Sequence, residues 1–348
     1  MNKLISCVTC AIICLNIILG ATSHTHASEK ITETGAHSSG SLINIAEETD
    51  YLESKYNKEL WLSNDSIDYP VTPNDKSWAN LKSHDEMVKA CNIPSKLINK
   101  LSTRDLVKLL YDYPLLIDMY MYDNLDDGLK CIVSQSNIIG ELYARDDFLD
   151  IIEQDVFKMD YDQSYTDFKK YALAELLLED GKLSTNYLVS DKNAKQQANT
   201  KKQIRVDTIN ICKGKTTKGI VYEYAGDKWA SELNAETRKT YPLAIFVSKS
   251  DNRYNCHSYA WYKQSTSNPY WINSPTDYIN SGLYSYSKKA SNNCKIVYVK
   301  NSERIHSGIV TDASNMKIKS KWGMGPLMIH DVNYCPYNSC SYSYYKKK

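Results

Sequence analysis

Between residues 76 and 180 the apolar residues recur at helical spacing. Leu97, Ile98 and Leu101 follow Pro94, and Ser102 with Asp105 three positions on forms a helix-start signal. Leu106, Leu109 and Leu110 then fall at i, i+3, i+4. Leu115, Leu116, Met119 and Tyr120 form the next stripe after Pro114. Ile132, Ile138, Ile139 and Leu142 continue it, then Phe148, Ile151 and Ile152, then Tyr171 to Leu178. Such stripes predict a bundle of short helices around one core. From residue 203 the period shortens. Ile204, Val206 and Ile209–Ile211 read as a strand, and Gly219–Tyr224 as another. Leu243–Val247 is a short apolar run. Residues 256–264 read as a helix, and Lys295–Val299, Ile305–Val310 and Met316–Ile318 as strands. Helices followed by antiparallel strands predict an α+β fold, an all-α helical domain over 76–180 preceding a helix packed on a sheet over 203–340. The polar, Lys-rich stretch 181–202 reads as a linker, and the tail 341–348 as frayed.

The remaining segments change the compartment. Residues 1–27 carry Lys3, an apolar run from Leu4 to Leu19 and a small-x-Ala site at Thr25–Ala27, the pattern of a secretory signal peptide. No later segment approaches the ~20 apolar residues of a membrane span. Residues 28–75, rich in Ser, Thr, Glu and Asn, read as a flexible leader. An exported or wall-associated protein is therefore expected. Three of the ten cysteines leave with the signal, and seven remain: Cys91, Cys131, Cys212, Cys256, Cys294, Cys335 and Cys340. An odd count in an exported chain implies at least one unpaired thiol.

The 348 residues carry 42 basic and 41 acidic side chains, a balance that gives no global field to gather nucleic acid. The 28 Tyr against 4 Phe suit shallow peptide- or carbohydrate-binding surfaces, or reflect a composition bias. Two motifs fail on inspection. A phosphate loop around Gly214-Lys215-Thr216 would need glycine where Ile209 stands. A calcium loop from Asp123 would need oxygen donors where Leu125 stands and a bidentate acid where Ser134 stands. Zinc at His330, Cys335 and Cys340 lacks a fourth ligand. No cofactor is implied.

The chemistry concentrates at 254–331. Asn252–Asn255 deliver Cys256 to the first turn of the segment CHSYAWYKQ, where free backbone N–H groups and the helix dipole favour a thiolate. Those N–H groups could also hold an oxyanion. His306, in RIHSGIV, is the candidate base, with small neighbours Ser307 and Gly308 leaving room for substrate. His257 points about 100° away from Cys256 on the helix. His330, Ser320 and Asp312 compete for the role of orienting the base. Tyr254, Asn255 and Trp271 are candidate substrate contacts, the last within NPYWINSPTDYI, a loop that could wall a groove.

The order NCHSYAW, then a strand with HSGIV, then a strand leading into SKWG, resembles a papain-like cysteine hydrolase. The layout is similar to NlpC-type endopeptidases and CHAP-type amidases of bacterial cell walls. The resemblance covers residues 204–335 and implies Cys256 as nucleophile, His306 as base and a polar third residue on the next strand. Asn255 matches the Asp or Asn that precedes the cysteine in those families. His257-Ser258 stands where the endopeptidases have Ser-Gly, and the next strand offers Ser320 or Lys321 instead of His or Asn. The helical segment ACNIPSKLINKLSTRDLVKLLYDYPLLIDMYMYDN is similar to an N-terminal region of uncharacterised secreted Gram-positive proteins. The expected function is cleavage of an amide bond in peptidoglycan peptides, with a cell-surface partner for the helical domain. The competing expectation is a non-catalytic wall-binding protein or adhesin on the same fold. Acyl transfer to an amine would use the same residues.

Overall fold

Local signals start the helices. Ser83 Oγ accepts from the Glu86 amide at the head of α1 (His84–Ala90). A short α2 (Ser95–Ile98) follows. The Ser102–Asp105 capping box expected from the sequence opens α3 (Thr103–Tyr111). Asn124 caps α4 (Leu125–Gln135), and α5 (Ile139–Tyr143), α6 (Phe148–Lys158) and α7 (Tyr165–Asp180) follow. The computed structural model describes residues 67–159, 165–180, 202–337 and 339–348. The expected signal peptide, most of the expected leader and all of the expected linker but Lys202 lie outside them. Among the described residues no helix is long and apolar enough to cross a membrane.

The rest of the chain is strand-rich, so the protein is α+β. β1 (Gln203–Cys212) and β2 (Lys215–Tyr222) form an antiparallel ribbon. After α8 (Asp227–Thr240) comes a seven-stranded antiparallel sheet. Its strands are β3 (Ile245–Ser248), β4 (Tyr284–Ser287), β5 (Lys295–Lys300), β6 (Glu303–Asp312), β7 (Lys317–Lys321), β8 (Leu327–Asp331) and β9 (Ser341–Lys347). Their order is β3-β8-β7-β6-β5-β9-β4. A π-helical turn (Ser258–Tyr262) and α9 (Thr276–Ile279) lie between β3 and β4.

Each face of the sheet buries a different set. On one, Ile296, Tyr298, Val310, Ile318 and Met328 join the core of the helical segments. On the other, Val297, Ile309 and Leu327 pack with Tyr254, Tyr259 and Trp261. This division follows from the two-residue period of strands. Helices and sheet therefore share one core, tied by buried polar bonds. Trp78 Nε1 donates to Thr240 O (2.7 Å), Tyr122 OH to Pro336 O (3.1 Å) and Met324 N to Tyr120 O (3.1 Å). Tyr241 OH and His84 Nε2 both meet Asp118, at 2.5 and 2.7 Å.

Two expectations about order change. The leader does not run to residue 75: Tyr69 and Val71 are buried in the core, with Tyr69 edge-on to Tyr113. The tail does not fray: it is β9, wedged between β5 and β4. In SYSYYKK, Tyr342 packs on Tyr298 on one face of the sheet and Tyr345 on Trp261 on the other, which compensates the polar composition.

Candidate functional site

Cys256 opens the helical turn that runs into Ser258–Tyr262, as its sequence context suggested. Asn255 builds that turn. Its Oδ1 accepts from the amides of Ser258 (3.0 Å) and Ile272 (3.2 Å), and its Nδ2 donates to Ile272 O (2.8 Å) and to Asp123 Oδ1 (3.0 Å). Cys256 is 1 % exposed. Burial pushes the thiol well above its usual range, and the Asp123 carboxylate adds to this. The backbone amides of Ser307 and His257, and the Lys321 ammonium, pull the other way without overcoming it. The thiolate expected from the helix start is thus not the resting form, because desolvation outweighs a single helical turn's dipole.

β6 presents His306 and Ser307 to opposite faces of the sheet. Ser307 Oγ meets His257 Nδ1 at 2.8 Å and accepts from Trp261 Nε1 at 3.0 Å. His306, fully buried, stacks on Tyr337 with ring centroids 3.6 Å apart and meets Tyr298 edge-on. Among the described residues neither of its ring nitrogens has a hydrogen-bond partner. Burial, then the nearby His330 and His257, hold it well below the usual imidazole range, so it is neutral at pH 7.

Two of the three candidates for orienting His306 bond to each other instead. Ser320 Oγ and His330 Nε2 are 2.8 Å apart, and His330 Nδ1 donates to Asp331 O at 2.8 Å. His330 lies on β8, and burial lowers its pKa to about 4. Asp312 holds the Ser314 and Asn315 amides in a surface turn at the far end of β6.

The candidate substrate contacts are buried. Tyr254 lies under the Lys321 ammonium, which is 4.8 Å from its ring centroid and donates to the carbonyls of Asp251 and Gly323. Trp271 bridges to Ile220 through backbone bonds of 2.8 and 2.9 Å and packs edge-on to Tyr222. The loop around it does contribute Asn273 and Ser274 to a cavity of about 1160 Å³. That cavity is also lined by Tyr122, Asp123, Lys130 and Arg304; Asp123 links it to Asn255, but neither Cys256 nor His306 lines it.

Three groups were not singled out from the sequence. Asp123 touches Asn255 and lies 3.8 Å from His257 Nε2. Tyr337 covers His306, its hydroxyl bonded to Met121 O. Ser307 had been noted only for its size. No local sequence signal marks any of them, because each acts across the interface of helices and sheet. No disulfide joins the seven cysteines among the described residues, and no group of His, Cys, Asp or Glu there could hold a metal.

No family model, curated protein or solved structure matches the chain.

Proposed function

We propose that the protein is an exported, papain-like thiol hydrolase that cleaves an amide bond, with peptidoglycan peptides as the substrate class. Cys256 is the nucleophile and His306 the base. The observation that carries this reading is His306 itself. A fully buried imidazole with two unpartnered nitrogens costs stability without a structural return. Ser307, the next residue on β6, has its amide on the Cys256 sulfur, while the His306 nitrogens make no hydrogen bond to that sulfur in the resting structure. Strained polar groups of this kind gather where chemistry needs them.

Because thiol and imidazole both rest uncharged, the proton moves as the bond forms. The Cys256 sulfur attacks the amide carbonyl while its proton passes to His306. The amides of Ser307 and His257 stabilise the tetrahedral oxyanion. His306 returns the proton to the leaving amine, giving a thioester. Water, deprotonated by His306, then releases the acid and restores the thiol. The cavity beside Asp123 and Arg304 supplies room for the substrate's peptide.

A second reading draws support from the burial of the sulfur: a wall-binding protein whose Cys256 is a packed thiol. The two separate in one experiment. Purified mature protein is incubated with Gram-positive peptidoglycan, and released amines and bound protein are both measured. The hydrolase reading expects amine release that Cys256→Ala abolishes. Binding without release, equal in both proteins, supports the second reading.

A further inference from the structure

A buried polar chain runs past Cys256 and ends on the helical segment. Trp261 Nε1 can only donate, so Ser307 Oγ accepts from it. Ser307 Oγ keeps its own proton and a second lone pair for His257 Nδ1, 2.8 Å away. Donation from Ser307 makes His257 the Nε2–H tautomer, which turns that proton toward Asp123. Its Nε2 lies 3.8 Å from Asp123 Oδ2, while the other carboxylate oxygen accepts from Asn255 Nδ2 at 3.0 Å. One carboxylate thus faces the residues on both sides of the sulfur.

We propose that Asp123, supplied by the turn before α4, is a positioning residue for Cys256: it anchors Asn255 by a hydrogen bond and bears on His257 by charge across 3.8 Å, where Nε2 makes no hydrogen bond among the described residues. His257 and Ser307 are also the residues whose amides act on the sulfur. Their side chains are bonded to each other, so holding His257 holds both donors. The helical segment is then a working part of the site and not an appendage. The catalytic consequence rests on the thiol-hydrolase reading; the anchoring does not.

The groups facing the sulfur define the expected pH behaviour. They are Asp123 from the helical segment, His257 on the same turn, Lys321 from β7 and Tyr337 from the loop after β8. Asp123 is the one anion among them at pH 7, and Arg304 bears on His257 from β6. Removing the Asp123 charge should ease ionisation of the thiol.

The test uses the full mature chain and iodoacetamide at pH 8, with peptide mass spectrometry reading Cys256 and the buried Cys335 in the same sample. Cys335 reports any general opening. In Asp123→Asn, which keeps an oxygen for Asn255, the Cys256-to-Cys335 labelling ratio should rise about tenfold, because the neighbouring anion that opposes the thiolate is gone. An unchanged ratio overturns the inference. A second measurement needs no variant. Nitrogen-15 NMR of the unaltered chain should find His257, identified by the loss of its signal in His257→Gln, as the Nε2–H tautomer. An Nδ1–H imidazole would turn a bare lone pair toward the carboxylate and overturn the anchoring even if Asp123→Asn fails to fold. If both results are as expected and no amide is cleaved, the positioning stands and the hydrolase reading falls.

Discussion

Replacing His306 by phenylalanine is expected to stabilise the protein, and the same change at His330 to destabilise it. Both imidazoles are buried and neutral at pH 7, both lie on the sheet, and both touch an aromatic ring. They differ in hydrogen bonding. His306 makes none among the described residues, whereas His330 bonds Ser320 Oγ and Asp331 O, each at 2.8 Å. A buried polar group without a partner costs about 1–3 kcal/mol. His306→Phe removes two such atoms and keeps the stack on Tyr337. After allowing about 1–3 kcal/mol for the larger ring, a net gain near 1 kcal/mol is expected. His330→Phe keeps the contact with Trp322 but strands the Ser320 hydroxyl and the Asp331 carbonyl, a loss of about 2–4 kcal/mol. Urea unfolding at pH 7 reads both as shifts of the midpoint in opposite directions. Midpoints that fall equally in the two variants would refute the reasoning, since His306 would then be held by its contacts and not retained for its chemistry.

Two further outcomes follow from the same geometry. Acidification should weaken the fold: His257, His306 and His330 all have folded pKa values below that of an unfolded histidine, so the unfolded chain binds more protons as pH falls below about 6.5. For His330 the loss is complete near its folded value of about 4 and amounts to about 3 kcal/mol. Urea midpoints measured from pH 7 to pH 4.5 should decline, and a flat profile would contradict the burial of these rings. Gly323→Ala should cost more than about 2 kcal/mol by thermal unfolding, because Gly323 has φ +45° and a Cβ there would lie 2.4 Å from the Met121 carbonyl carbon. A wild-type melting temperature would show that the helical segment does not pack on this turn.

The chemistry-bearing elements were legible because they carry local signals. The Ser102 cap, the apolar run holding His306 and the loop that delivers Cys256 to a helix start are written in neighbouring residues. What was hidden depends on distant residues. β4 and β9 read YSYS and SYSYYKK, so their aromatic rows are masked by serine and lysine. The helix Asp227–Thr240 buries Ala230, Leu233, Thr237 and Thr240, a face half made of threonine that shows weak periodicity. β8 follows Gly-Pro and has only five residues, which makes LMIHD look like part of a loop. The state of the site was the least legible part. Whether a thiol at a helix start ionises depends on what covers it, and here the cover comes from Asp123 and Tyr337, 133 and 81 residues away in the chain.

The central claim is that the Cys256 sulfur carries the acyl group. The protein is mixed with soluble peptidoglycan stem peptides, quenched in acid within seconds and digested, and the Cys256 peptide is weighed by mass spectrometry. The account predicts a thioester adduct on Cys256 whose mass is that of the peptide's acyl portion, absent from Cys256→Ala together with amine release. Amine release that persists in Cys256→Ala, with no adduct on this residue, would contradict it.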